Sequence, residues 1–219
     1  MIKINRSYPA PVSLACESQK VAGSYSKTDV IERLKNDFHD KCYICEMKEL
    51  QDPQVEHLHP HKNGRFPERK YDWDNLFWAC GHCNNVKNRQ IYDEGILDCC
   101  KRDPEEAIAF NMVENDVDVR ALDPQDQEAV LTAKLVQEVF NIRNTGMRVI
   151  KSDLRLKKLQ EEMNVLYTQL EAYKHQPESS INKRTLKALL KRESAFAGFK
   201  RRYIRDRLDE YPELELYIV

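Results

Sequence analysis

Apolar positions along the chain change period several times, and each change marks an element. The run TDVIERLKNDFHD from Thr28 carries Ile31, Leu34 and Phe38 at helical spacing, which predicts an amphipathic helix that Thr28 can cap. Val55-Glu56-His57-Leu58 alternates with the period of a strand, and Pro60 ends it. Lys62-Asn63-Gly64 supplies turn chemistry, and the loop up to Lys70 is basic. Trp73 to Ala79 is a second apolar run, and NNVKNRQIYDEGI after Cys83 predicts a short helix. Strand, loop, return and helix make a ββα arrangement. Before Thr28, Pro9, Pro11 and Gly23 predict an irregular, extended lead-in.

Past Asp103-Pro104 the composition shifts. AIAFNMV and VDVRAL flank Glu114-Asn115-Asp116 and predict a small hairpin. Asp123-Pro124, a capping residue followed by proline, predicts a helix start, with the helix running to about Phe140 and a break allowed at Gly146. Leu156, Leu159, Met163, Leu166, Leu170 and Tyr173 then recur at spacings of three and four. That seam is short for a coiled coil, so it predicts a helical hairpin that turns at Pro177-Glu178-Ser179-Ser180. A last helical region runs from Asn182 to about Leu208, with a kink expected near Ser194 or Gly198. The expected fold class is α+β, in three parts. Residues 1–40 form an extended segment and supporting helix, 41–105 a ββα core, and 106–219 a mainly α-helical C-terminal domain.

Composition narrows the classes. The 219 residues are 41% hydrophobic and 32% charged, with no apolar run near the length of a membrane span. MIKINRSYPAP lacks the apolar core of a signal peptide, so the expected location is the cytoplasm. A net charge of -1 gives no global attraction to nucleic acid, so any basic surface must be local. On a continuous C-terminal helix, Lys183, Arg184, Lys187, Lys191, Arg201, Arg202 and Arg205 project to one side, opposite Leu186, Leu189, Phe196 and Tyr203. Such a face is either solvated or a contact for a phosphate backbone.

Of seven cysteines, four stand in C-x-x-C pairs, Cys42/Cys45 and Cys80/Cys83. A C-x-x-C turn points both sulfurs at one ion, and two such turns complete the tetrahedron of a structural Zn²⁺. A redox pair is the competing reading. Cys16, Cys99 and Cys100 have no ligand-like spacing, and the vicinal pair reads as buried packing. Between the knuckles, Glu56-His57 joins a carboxylate suited to a hard divalent cation with an imidazole suited to taking a proton from water. His59 and His61 extend this to three histidines at alternate positions, an alternative metal site that Pro60 argues against.

Together CYICE, VEHLHPHK and DNLFWACGHCNNVK resemble the HNH (ββα-metal) endonuclease family in its zinc-bound form. The resemblance implies that His57 is the general base and Glu56 the first ligand of a catalytic Mg²⁺ or Mn²⁺. It also implies that Asn75 braces the loop and orients the histidine. Asn84, standing where many members have a final histidine, is implied as a further ligand, and Lys87 lies near a phosphate. More narrowly, the chain resembles the HNH nuclease subunit of Septu-type anti-phage systems, including retron-associated ones. That implies an ABC-type ATPase partner and, in the retron case, a reverse transcriptase/msDNA complex. The substrate so implied is nucleic acid, DNA first, with tRNA or another structured RNA as the rival. A zinc module that only bridges a partner to nucleic acid is the rival from another class.

Overall fold

A computed structural model of the chain describes residues 1–114, 116–141 and 146–218. The lead-in is less irregular than expected, because it contains helix α1 (Val12–Ser18) with Pro11 at its N-cap. A proline there costs no hydrogen bond, since the first backbone N–H groups of a helix have no partner within it. Helix α2 (Thr28–Asp37) follows, with Lys27 rather than Thr28 in the capping position and no side-chain cap. Its buried face is Val30, Leu34 and Phe38, with Ile31 at the margin, and it packs against the second strand of the metal core.

Strand β1 (Pro53–His57) pairs antiparallel with β2 (Leu76–Cys80), with His57 opposite Leu76 and Val55 opposite Trp78. The loop between them winds through a 3₁₀ turn at Lys62–Gly64 and a one-turn helix, α3 (Pro67–Lys70). Helix α4 (Gly81–Lys87) starts immediately after β2, two residues before Cys83, because Cys80 Sγ accepts from Cys83 N and caps it. The knuckle is thus itself the helix start.

Strands β3 (Ile108–Val113) and β4 (Asp116–Ala121) form the second hairpin; Asn115 at its turn lies outside the described residues. Helix α5 (Gln127–Asn141) begins later than the Asp123-Pro124 pair suggested. Asp123 spends its carboxylate on Gln125 N within a turn, while Asp126 caps by accepting from Ala129 N at 3.0 Å. Helix α6 (Gly146–His175) buries Leu159, Met163, Leu166, Leu170 and Tyr173 along one seam. It packs against α7 (Ser180–Leu189), which Ser179 caps.

The last helical region is two helices, α7 and α8 (Ala197–Arg205), and not one kinked helix. Phe196 sits at φ 49°, in the left-handed region, and turns the chain onto the first cysteine knuckle. There Phe196 N donates to Glu46 O at 3.3 Å and Gly198 N to Glu46 Oε1 at 3.1 Å. A Cβ on Gly198 would meet Glu46 Oε1 at 2.7 Å and Met1 O at 3.2 Å, so any larger residue would push Glu46 out of this contact. Buried side chains from every part of the chain, among them Ile4, Phe77, Phe110, Leu166 and Phe199, join one core. Among the described residues no helix is long and apolar enough to cross a membrane.

Candidate active site and metal centre

The four sulfurs of Cys42, Cys45, Cys80 and Cys83 lie within 4.8 Å of one another, and all four residues are buried. A tetrahedral zinc with bonds of about 2.3 Å needs sulfurs roughly 3.8 Å apart, so this donor set fits Zn²⁺. Two pairs meeting at one point also argue against separate redox couples. Tyr43 N ties the first pair to β2 by donating to Trp78 O at 3.0 Å, and Glu46 N closes the first knuckle on Cys42 O at 2.8 Å.

Behind the first knuckle, Glu46 accepts from Lys41 Nζ at 3.2 Å and from the Met1 nitrogen at 2.5 Å. Burial pushes the Glu46 pKa up, but the amino-terminal charge and Lys41 outweigh it and hold the carboxyl at about 2. From α6, Arg155 donates through its NH2 nitrogen to Cys80 Sγ at 2.9 Å. Burial opposes that charge, yet Cys45, Cys83 and Cys80 raise its pKa above the ordinary arginine value. Cys99 is buried and Cys100 half-buried, the packing role expected of them.

A cleft of about 430 Å³ opens beside α4, with Tyr25, Glu56, His57, His61, Asn84 and Lys87 on its walls. His57 ends β1, and its Nε2 lies 3.1 Å from Lys70 O. A carbonyl only accepts, so Nε2 carries the proton and Nδ1 is left with its lone pair. Burial pushes the His57 pKa from the ordinary 6.5 to about 4. Tyr25 and His61 hold the ring edge-on, with centroids at 4.5 Å and 4.9 Å. Asn75 staples the loop around it: Oδ1 accepts from His59 N at 2.8 Å, and Nδ2 donates to His59 O at 2.8 Å and Arg69 O at 2.9 Å.

Glu56 points inward from the same strand and is 4% exposed. Its carboxylate pairs with Lys87 Nζ at 2.6 Å and accepts from Tyr43 Oη at 2.9 Å. Burial raises its pKa, against the pull of Lys87 and Tyr43. Lys87 is equally buried and also donates to His57 O at 3.0 Å and Leu58 O at 2.8 Å. This corrects the expectation of a Lys87–phosphate contact, because its three protons are already spent on Glu56 and the β1 backbone. Asn84 is half-buried and donates through Nδ2 to Gln54 Oε1 at 2.7 Å, so Oδ1 is the atom it offers a cation.

The buried pair makes a stability prediction. Lys87→Met leaves Glu56 charged and unpaired in the interior, for an expected loss of about 3–5 kcal/mol. Urea denaturation at neutral pH reads it, and a loss below about 1 kcal/mol would mean that Glu56 reaches solvent or another cation.

Three histidines do not converge. His59 Nδ1 lies 2.9 Å from Glu94 Oε2 while His61 faces His57, and among the described residues only the cysteines form a metal-ligating group of three or more. The basic C-terminal face also dissolves in part. Arg201 is 1% exposed and donates from Nε to Glu105 at 2.7 Å, from NH1 to Leu190 O and from NH2 to Ile218 O. Arg205 shares Glu105 Oε1 at 2.7 Å, Arg202 pairs with Asp206, and Lys183 pairs with Glu178. Arg184, Lys187 and Lys191 are exposed, all on α7 or just beyond it.

Tyr25, Tyr43 and Arg155 escaped the sequence reading. Nothing local marks the tyrosines. Arg155 left a trace, because Ser152, Arg155 and Leu159 share one helical face, so a charged residue extends an apolar seam. None of the curated proteins matches the chain. Residues 42–90, which hold both knuckles, the β1–β2 hairpin and α4, match the family model described as HNH endonuclease.

Proposed function

We propose that the chain is a metal-dependent phosphodiesterase that cuts nucleic acid, DNA in the first place, with His57 as general base. The observation that carries this reading is His57 itself: a ring fixed by Lys70 O, with Nδ1 unprotonated at neutral pH, in one cleft with Glu56 and Asn84. Nδ1 takes a proton from water, and that water attacks phosphorus in line with the departing 3′ oxygen. The bond to that oxygen breaks, the 3′ alkoxide takes a proton from solvent, and the products carry a 5′-phosphate and a 3′-hydroxyl. Glu56 and Asn84 would hold a Mg²⁺ or Mn²⁺, which would supply positive charge for the crowded phosphate and the leaving group.

Glu56 retains lone pairs on both oxygens beside Lys87 and Tyr43, and one carboxylate with an amide oxygen and substrate phosphates is a set that Mg²⁺ accepts. Asn75 keeps the loop closed, so Lys70 O stays where it fixes the ring. The zinc centre does no chemistry in this scheme, since four thiolates leave no open position. The resemblance of CYICE, VEHLHPHK and DNLFWACGHCNNVK to Septu-type subunits supports a wider setting. In that setting the chain is the nuclease of an anti-phage system and works beside an ABC-type ATPase.

The test incubates the protein, alone and with the products of neighbouring genes, with phage DNA and total RNA over a Mg²⁺ and Mn²⁺ series. Cut DNA with 5′-phosphate ends is expected, and Asn84→Ala should raise the cation concentration needed, with partial rescue at high Mn²⁺. RNA cut while DNA stays whole moves the substrate to RNA. Both left whole under every condition would sink the nuclease reading.

A further inference from the structure

Four thiolates around a divalent zinc leave a centre with a net charge of about −2, sunk among buried side chains. Burying such charge is costly unless a counter-charge and hydrogen bonds accompany it. Within the second knuckle, Cys83 N donates to Cys80 Sγ at 3.5 Å, but a neutral backbone N–H supplies no counter-charge. The counter-charge comes from the helical half. Arg155, 3% exposed on α6, places its NH2 nitrogen 2.9 Å from Cys80 Sγ and fixes NH1 on Lys151 O at 2.6 Å.

The surrounding contacts hold this arginine where it is. His82, between the second pair of cysteines, donates from Nε2 to Val139 O on α5 at 3.0 Å. Ser152, one turn before Arg155, donates to the same carbonyl at 3.3 Å. Helices α4, α5 and α6 therefore meet at one backbone oxygen beside the zinc ligands.

We propose that Arg155 is the outer-sphere partner of the zinc centre, a permanent charge hydrogen-bonded to Cys80 that makes metal retention depend on the docking of α6. The proposal rests on the fit of zinc to the cysteines and is independent of the nuclease reading. A guanidinium suits the place, because it stays charged when buried and its planar fork serves a sulfur and a helix carbonyl together. Its charge lowers the energy of the thiolate, so zinc leaves more slowly while α6 is in place. Removing outer-shell partners of a metal typically costs 10–100-fold in affinity.

Arg155→Met tests this with two measurements that involve no substrate. One is the rate of zinc transfer to an excess of a chromophoric chelator. The other is the thiolate-to-metal charge-transfer band of the Co²⁺-substituted protein. The expected result is zinc release faster by about 10–100-fold, with the band moved to lower energy as the N–H···S bond disappears. Folded Arg155→Met with wild-type release and an unmoved band overturns the proposal. If that variant does not fold, Arg155→Lys decides. It keeps the charge but shortens the reach, so faster release and a shifted band support the proposal, and wild-type values of both overturn it.

Discussion

His57→Ala is expected to fold, keep its zinc, still bind nucleic acid, and cut it about 10²–10⁴-fold more slowly, the usual cost of losing a general base. The zinc ligands do not touch His57, and the one hydrogen bond lost, Nε2 to Lys70 O, is worth about 1 kcal/mol. The comparison is single-turnover cleavage by both proteins across a Mn²⁺ titration, with zinc content measured in parallel. Added cation should leave the deficit in place, because the role proposed for the ring is to move a proton and not to bind the cation. Full rescue by Mn²⁺, or cleavage at the wild-type rate, would make the mechanism wrong.

The same ring gives a pH dependence. Folded His57 takes its proton near pH 4, whereas an unfolded chain takes it near 6.5. Between those values the unfolded state binds more protons, so stability falls as pH drops from about 6.5 to 4 and levels off below. His57→Ala removes that part of the fall. The ring itself stays unprotonated through the whole neutral range.

Cys80→Ser should be the most damaging change to the fold. Serine still caps α4, since its hydroxyl can accept from Cys83 N as the thiolate does, so the loss traces to the metal. Zinc held by thiolates contributes folding energy on the order of 10 kcal/mol, comparable to the whole stability of a domain. The variant is expected to be insoluble or readily cut by protease, and zinc-free by elemental analysis. A soluble, protease-resistant, zinc-free Cys80→Ser protein would show that the cysteines do not hold the fold through a metal.

Much of this protein was legible because the signals are local. C-x-x-C spacing determines that two sulfurs share a turn, and period-two alternation from Val55 to Leu58 determines a strand. The seam from Leu159 to Tyr173 determines which face of α6 is buried, and the order of knuckle, strand, return and helix follows from short-range pattern alone. Motif spacing likewise pointed to Glu56, His57 and Asn84, which the tertiary structure brings to one cleft.

Tertiary structure decided which charges meet water. Lys87 and Arg201 look alike in sequence to any exposed cation, yet one is spent on Glu56 and the other on Glu105. The break before α8 exists because Phe196 and Gly198 must reach Glu46, about 150 positions earlier in the chain. Arg155 meets Cys80 across 75 positions. A helical or strand period reports only on a residue's own face, whereas the partner of a buried charge is chosen by packing between distant segments. In this protein the sequence determined the ligands and the elements, and packing determined their counter-charges.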